Sequence, residues 1–379
     1  MKNLFVVFLF ISISIFSAHS QEKEFVLTGM IGGIQNETLF LYQETGENVI
    51  LIDSVMTKNG EFHFSGKMEH PFAAQIGLAK NRRAKIFLSP SKMNLLVHKK
   101  DLKYEFLTKK LTGSKVQDRY EDFQYKLKKN HRAKLKIAND LELPEVNSDS
   151  IKKKTLLAEY KRLNKFKKEY FHNYASSPVV SYLIFQEYFG GKCNLEDVKE
   201  YLKTLKMANP NGIYVKNLNK RVERIEQIFT KNEFPAINSL TLKGQKYNFA
   251  DRKGQYHLFY IWRAWTPEKN KVHYQALNQL QTTCKKNGIE LVSLIRNSSY
   301  NMIPVEETKK WKQWRPNVDP SHEYIEIESI DKSVELLRYM DRKFHAFLVN
   351  KEGKILYHQN TFNTNLLITE LAKFVSVPE

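Results

Sequence analysis

Two thiols, a scatter of imidazoles and one helix start are the groups in this chain whose types could do chemistry. Cys193 and Cys284 are the only cysteines, so at most one intramolecular disulfide can form and no cysteine-built zinc site exists. Cys284 follows Leu277 and Leu280 at helical spacing, which places it on an apolar face as a core thiol, against a weaker reactive reading. Cys193 follows Gly190-Gly191-Lys192, a loop in which it could be exposed. A bridge between the two stays open at this point, because an oxidising compartment would permit it and sequence carries no distance. His257, His322, His345 and His358 show no short metal-ligand spacing, so no metal and no cofactor is expected. There is no phosphate loop, nucleophile elbow or zinc helix either. In Thr266-Pro267-Glu268 a hydroxyl can cap a helix, proline suits its first position and an acid favours its dipole. Lys269 and Lys271 sit awkwardly beside that dipole and keep anion binding open as an alternative use.

The elements that must position these groups belong to a chain of 379 residues, too long for one ordinary core. Hydrophobic residues make up 42% with only 15 Gly and 11 Pro, which excludes disordered and collagen-like classes. The formal charge of +19 favours acidic partners or anionic surfaces without naming one. Lys2, the apolar run Leu4 to Phe16 and Ala18-His19-Ser20 read as a secretory signal, with cleavage expected near Ser20, before Gln21. The run is shorter than the roughly 20 residues a bilayer span needs. No lipid-bearing cysteine follows it. A periplasmic or secreted protein with no transmembrane span after signal removal is therefore expected.

From Phe25 to about Leu111 short alternating runs such as Thr38 to Tyr42, Val49 to Ile52, Glu61 to Phe64 and Ile86 to Leu88 predict an antiparallel β domain over 21–113. Lys58-Asn59-Gly60 predicts a hairpin turn. After Gly113-Ser114 the period becomes helical, and 114–232 reads as a helical linker domain broken at Ser177-Pro178 and at Asn209 to Gly212. Its stretch Lys126 to Lys168 is strongly basic: either a patch for an anionic surface or the solvated face of helices, with acids such as Glu159 interspersed. No nucleic acid is expected as partner, since no nucleic-acid-binding motif accompanies the charge. Beyond Phe234-Pro235 a β-α-β-α order is predicted by Tyr256 to Trp262, Glu268 to Lys286, Ile289 to Ile295 and Glu306 to Trp314. A β-β-α order follows, from Ala346 to Val349, Ile355 to Tyr357 and Asn365 to Phe374. The fold class is thus α+β and multidomain, ending in an α/β domain over 233–379.

The string Trp262-Arg263-Ala264-Trp265-Thr266-Pro267-Glu268-Lys269 resembles the Trp-Ala-x-Trp-Cys-x-x-Cys segment of the extracytoplasmic thioredoxin-like disulfide reductases of Gram-negative bacteria. Lys243-Gly244-Gln245 and Asp251-Arg252-Lys253-Gly254 are similar to the same family's lead-in. Ile52-Asp53-Ser54, Asn59 to Gly66 and Pro71 resemble an N-terminal β-rich domain of unknown function that precedes such modules. The resemblance implies a thioredoxin-like C-terminal domain whose redox dithiol would fall at Thr266 and Lys269, and whose cis-proline would fall at Phe344.

None of those three positions holds the family's residue, and no cysteine lies between Cys193 and Cys284, nor any proline between Pro320 and Pro378. A threonine hydroxyl lies roughly 8 pKa units above a poised thiol, on the order of 11 kcal/mol, whereas a helix N-terminus returns about 2 kcal/mol at most. An alkoxide also cannot exchange disulfides, which needs sulfur. The expected function is therefore a non-catalytic binding or scaffold protein of the cell envelope, not a redox enzyme at this site. An envelope protein or peptide would occupy the former substrate groove at Trp265, Thr266, Phe344 and His345. The remaining tryptophans read as core or interface. The alternative function is a divergent thiol-disulfide oxidoreductase or peroxidase working through Cys284 or Cys193.

Overall fold

Eight short strands precede the first helix, and their alternating side chains leave each strand one apolar face to bury. In the computed structural model, which describes residues 23–46, 48–79, 82–103, 105–241, 243–263, 267–296, 325–329 and 344–375, they form two stacked four-stranded sheets. Strands β1 (Lys23–Gly32), β4 (Glu61–Met68), β7 (Lys92–His98) and β8 (Leu111–Thr112) make one sheet in the order β4-β1-β7-β8. Strands β2 (Thr38–Glu44), β3 (Val49–Met56), β5 (Phe72–Ala79) and β6 (Arg82–Leu88) make the other, ordered β3-β2-β5-β6. Leu27, Phe64 and Leu95 of the first meet Leu41, Ile76 and Ile86 of the second in one core.

Two expectations need correction. The β domain is not wholly antiparallel, because β1 runs parallel to β7. Nor does Lys58-Asn59-Gly60 close an ordinary hairpin. Asn59 and Gly60 take the left-handed backbone the turn demands, at φ of 52° and 83°, and Lys58 bridges Glu61. The flanking strands then part, β3 to one sheet and β4 to the other, so the turn is a corner of the sandwich. Turn chemistry sets a local reversal, whereas the inward Phe62 and Phe64 decide which sheet β4 joins. A side chain at Gly60 would place its Cβ 2.5 Å from the Ile31 carbonyl oxygen, so close approach adds to the conformational demand.

Helix α1 (Lys115–Glu142) starts where the period changes, with Ser114 Oγ accepting from the Gln117 N–H at 3.1 Å. Then come α2 (Pro144–Ser148), α3 (Ser150–Asn164), α4 (Phe166–Asn173), α5 (Pro178–Phe189), α6 (Leu195–Ala208) and α7 (Ile213–Lys231). The predicted breaks appear as the Ser177 cap on α5 and the Asn209 to Gly212 loop before α7. Cys193 is 7% exposed and packs with Val198 and Leu202, which corrects the exposed-loop expectation. Gly191, at φ 72°, turns the chain back so that the thiol points inward. Cys284, 1% exposed, lies in a different core; neither cysteine is in a disulfide, so the bridge left open by sequence does not form.

Helices cover the outer face of the β2-β5-β6 sheet, where Ala73 and Phe87 meet Tyr120, Tyr182 and Tyr214. That face carries buried polar groups which the helices satisfy. The Glu44 carboxylate accepts from Tyr182 Oη at 3.0 Å, from Lys85 Nζ at 3.0 Å and from Gln75 Nε2. The Tyr214 hydroxyl donates to the Glu44 carbonyl at 2.8 Å and accepts from the Ala73 N–H at 2.7 Å. At its other end α7 delivers Ile225 and Ile228 into a second core, beneath a five-stranded sheet.

That sheet follows the short pair β9 (Asn238–Leu240) and β10 (Lys246–Asn248). It is built from β11 (Tyr256–Arg263), β12 (Ile289–Arg296), β13 (Ile325–Ser329), β14 (His345–Val349) and β15 (Ile355–Gln359) in the order β13-β12-β11-β14-β15. β11, β12 and β13 are parallel, while β14 and β15 run antiparallel. Helix α8 (Pro267–Lys286) joins β11 to β12 and α9 (Thr364–Val375) closes the described chain. The predicted β-α-β and β-β-α orders are present. The predicted helix Glu306 to Trp314 lies outside the described residues. Among those residues, no helix is long and apolar enough to cross a membrane.

Removing the Tyr214 hydroxyl tests how the helices are held to the sandwich. Tyr214→Phe leaves a buried N–H and a buried C=O to find new partners, and should lose about 2 to 4 kcal/mol in urea denaturation. A loss below about 0.5 kcal/mol would mean that the two strands simply close on each other.

Candidate functional site

Strand alternation sends Leu258, Tyr260 and Trp262 of β11 to the sheet face covered by α8 and α9, and Phe259 and Ile261 to the opposite face. The chain just before β14 adds Phe344 to the first face. Helix α8 crosses above with His273, Tyr274, Leu277, Leu280 and Cys284, and Phe362 approaches from the segment before α9. His273 stacks on Trp262 with centroids 4.8 Å apart and receives Phe362 edge-on at 4.8 Å. Phe344 meets Tyr260 edge-on at 4.9 Å and Phe362 at 5.5 Å. These arrangements are the offset and edge-to-face contacts aromatic rings favour.

Two hydrogen bonds satisfy the polar tips of this cluster. The Trp262 indole N–H donates to Ser293 Oγ at 2.9 Å, and Tyr260 Oη lies 2.9 Å from His273 Nδ1. Burial pushes the His273 imidazole down to about 4, so at neutral pH the ring is uncharged. Chemically the cluster is an apolar, aromatic surface with one neutral hydrogen-bonding pair. Among the described residues no three His, Cys, Asp or Glu side chains gather closely enough to hold a metal ion. Burial raises the Cys284 thiol beneath it to about 12, far from a reactive thiolate.

The residues singled out by sequence are distributed unevenly. Phe344 is half-buried in the cluster. His345, expected to share a groove with it, points to the other face, because neighbouring strand residues alternate. There His345 Nδ1 lies 3.1 Å from His358 Nε2, and the His358 ring stacks 4.3 Å from Phe347 and 5.1 Å from Phe229 of α7. Trp265 and Thr266 lie outside the described residues, as do His322, Trp311 and Trp314. Lys269 is placed in the first turn of α8 by its backbone.

Sequence reading missed His273 and Phe362. The signal for His273 was present, since it stands four residues before Leu277 and so heads the apolar stripe that ends at Cys284. Phe362 carries no periodic signal, because it precedes α9 in a loop.

His257 marks a third place, at the opposite end of β11 from Trp262, roughly 17 Å along the strand. Its Nε2 lies 3.1 Å from Glu290 Oε2, and Arg252 Nη1 donates to Glu290 Oε1 at 2.5 Å. Burial alone would raise the Glu290 carboxyl; hydrogen bonding to His257 and the nearby Arg252 charge outweigh it and hold the group below its ordinary value. This trio fastens the segment before β11 to the sheet.

Residues 25–120 match the family model of a domain of unknown function, DUF4369. No match to a curated protein is found. Part of the chain is similar to a thiol:disulfide interchange protein from a Bacteroides species, at 22% identity over 38% of this chain and 89% of that one, with a TM-score of 0.29. The thioredoxin domain of a thiol-disulfide oxidoreductase from Bacteroides vulgatus gives 22% identity over 38% and 96%, with a TM-score of 0.28. The exposed lipoprotein thioredoxin of Streptococcus pneumoniae gives 13% over 36% and 98%, with a TM-score of 0.29.

His273 sets a pH expectation whose sign follows from its lowered value. As pH falls from about 6.5 the unfolded imidazole binds its proton first, while the folded ring refuses it until about 4, so stability is lost across that window. Discounted for partial exposure, the loss should reach about 2 kcal/mol. A His273→Phe chain, melted at a series of pH values, should lose that much less stability than the parent between neutrality and pH 4. Parallel curves would refute the assignment.

Proposed function

We propose that this chain is a non-catalytic binding protein of the cell envelope, periplasmic or secreted, whose C-terminal thioredoxin-like part has exchanged disulfide chemistry for recognition of an apolar peptide segment. The observation that carries the reading is the state of the two thiols. Each is buried in a separate core, and no other sulfur nucleophile exists in the sequence. Exchange at either would require the attacking sulfur to leave its core and ionise against the cost of burial.

Support for binding comes from the aromatic cluster at the end of β11 where α8 begins. Phe344 and Phe362 are only partly covered, and Phe362 is 39% exposed. An apolar side chain laid across them would gain the burial these rings lack, and the neutral Tyr260 and His273 pair would impose no charge requirement. The binding surface is read as Phe344 with His273 and Phe362, while His345 serves the opposite face. A scaffold role for the N-terminal β-sandwich and helices accompanies this reading.

Insulin reduction with dithiothreitol as the electron source separates this proposal from the redox alternative. The chain should give no rate above the uncatalysed one, and Cys193→Ser and Cys284→Ser should change nothing. Thiol-dependent turnover lost in either variant would establish the alternative. Peptides identical except for one central Phe, Leu or Ser should bind in the order Phe above Leu above Ser, with Phe362→Ser weakening the Phe peptide about tenfold. Equal affinity for all three would dismiss the aromatic groove.

A further inference from the structure

Helices α2 and α3 make their principal contacts with α1 and α4, forming with the distal half of α1 a helical hairpin. Its seam is thin. Ile137 of α1, Val146 of α2 and Leu163 of α3 are buried there, and none of them joins the hydrophobic cores described above. Leu163 is the sole buried residue among the 15 of α3. A 15-residue helix that buries one side chain gains little stability from packing.

What the hairpin turns outward is basic and apolar together. Lys126 to Lys168 holds 14 Lys and Arg against five Asp and Glu. On α1 the exposed side combines Lys128, Lys129, Arg132 and Lys136 with Leu135, which is 51% exposed. On α3 it combines Lys152, Lys154 and Lys161 with Ile151, which is 79% exposed. The solvated-face reading would have the interspersed acids pair with these bases. Instead Asp122, Glu159, Glu187 and Glu200 pair with Lys126, Arg162, Lys167 and Lys168. Among the described residues no carboxylate stands within ion-pair distance of Lys128, Lys129, Arg132, Lys136, Lys154 or Lys161.

We propose that the α1–α3 hairpin seats this protein on an anionic phospholipid membrane surface. The unpaired bases meet headgroup phosphates, and Ile151 and Leu135 enter the boundary between headgroups and acyl chains. Unneutralised positive charge alone would suit any polyanion. The large apolar side chains exposed among those bases favour a lipid interface, because only a membrane offers phosphate and hydrocarbon side by side. The long stems of lysine and arginine allow their charged ends to reach the headgroups while the helices lie lower. This inference is independent of the peptide groove.

Co-sedimentation of the secreted chain, beginning at Gln21, with two kinds of vesicle tests it: pure phosphatidylcholine, and phosphatidylcholine with about one-third phosphatidylglycerol. Binding is expected to the second alone and should collapse when salt is raised from about 0.1 M to about 1 M. Reversing Lys128, Lys136, Lys154 and Lys161 to Glu should lower partitioning at least about tenfold with the thermal melt unchanged. Ile151→Ser with Leu135→Ser should weaken vesicle binding several-fold and leave retention on heparin untouched. No binding to anionic vesicles, equal binding to both kinds, or binding to heparin with vesicles ignored would each overturn the proposal. So would a loss on heparin equal to the loss on vesicles in the serine variant.

Discussion

One helix has both ends in different hydrophobic cores, and most of what surrounds it follows from that. Tyr214, near the start of α7, places its hydroxyl between the Glu44 carbonyl and the Ala73 N–H at the end of the β2-β5 ladder. Three to four turns later Ile225 and Ile228 of the same helix fill the core under the five-stranded sheet. At about 1.5 Å per residue its 19 residues span roughly 28 Å. The buried Glu44, Lys85 and Tyr182 group lies beside its first end, where every polar atom taken from water must be matched. Phe229, near its last turn, rests against the His358 ring, which in turn stacks on His345.

That second docking explains the division of the site. The sheet is buried on both faces, by α8 and α9 on one and by α7 with the segment around Phe234 on the other. A residue at the mouth of β14 therefore belongs to one face or the other and cannot serve both. Phe344 joins the aromatic cluster, whereas His345 is enclosed beneath α7. The Cys284 thiol and the His273 ring share the interior side of α8, and burial acts on them in opposite directions, raising the thiol and lowering the imidazole. Both are thereby kept neutral within the aromatic cluster.

Much of this was legible in the residues. The change of period at Ser114, the breaks at Ser177-Pro178 and at Asn209 to Gly212, and the strand and helix order after Tyr256 come from local signals that tertiary contacts did not override. The alternation in β4 and the turn residues Asn59 and Gly60 were also visible, yet not that they mark a corner between sheets. Partner choice depends on which apolar faces meet across the sandwich, and that information is non-local. The inward turn of Cys193 escaped for a similar reason: one glycine with positive φ redirects a thiol that composition alone would leave outside. In the site, Phe344 could be reached by resemblance. The stripe headed by His273 could have been read from spacing, whereas Phe362 is brought in only by the path of the loop before α9.

The parallel pairing of β1 with β7 bears on how the chain assembles. Val26 meets Lys92 across that ladder, 66 residues further along, with β2 to β6 in between. A loop of that length closes slowly, and the entropy of closing it must be met before the pairing stabilises anything. β1, the earliest of the described strands, therefore keeps one open edge until the rest of the sandwich has arrived. Antiparallel contact with β4 can shelter its other edge earlier. The interval between those two events is the period of greatest exposure to wrong pairing, and the length of β2 to β6 sets how long it lasts.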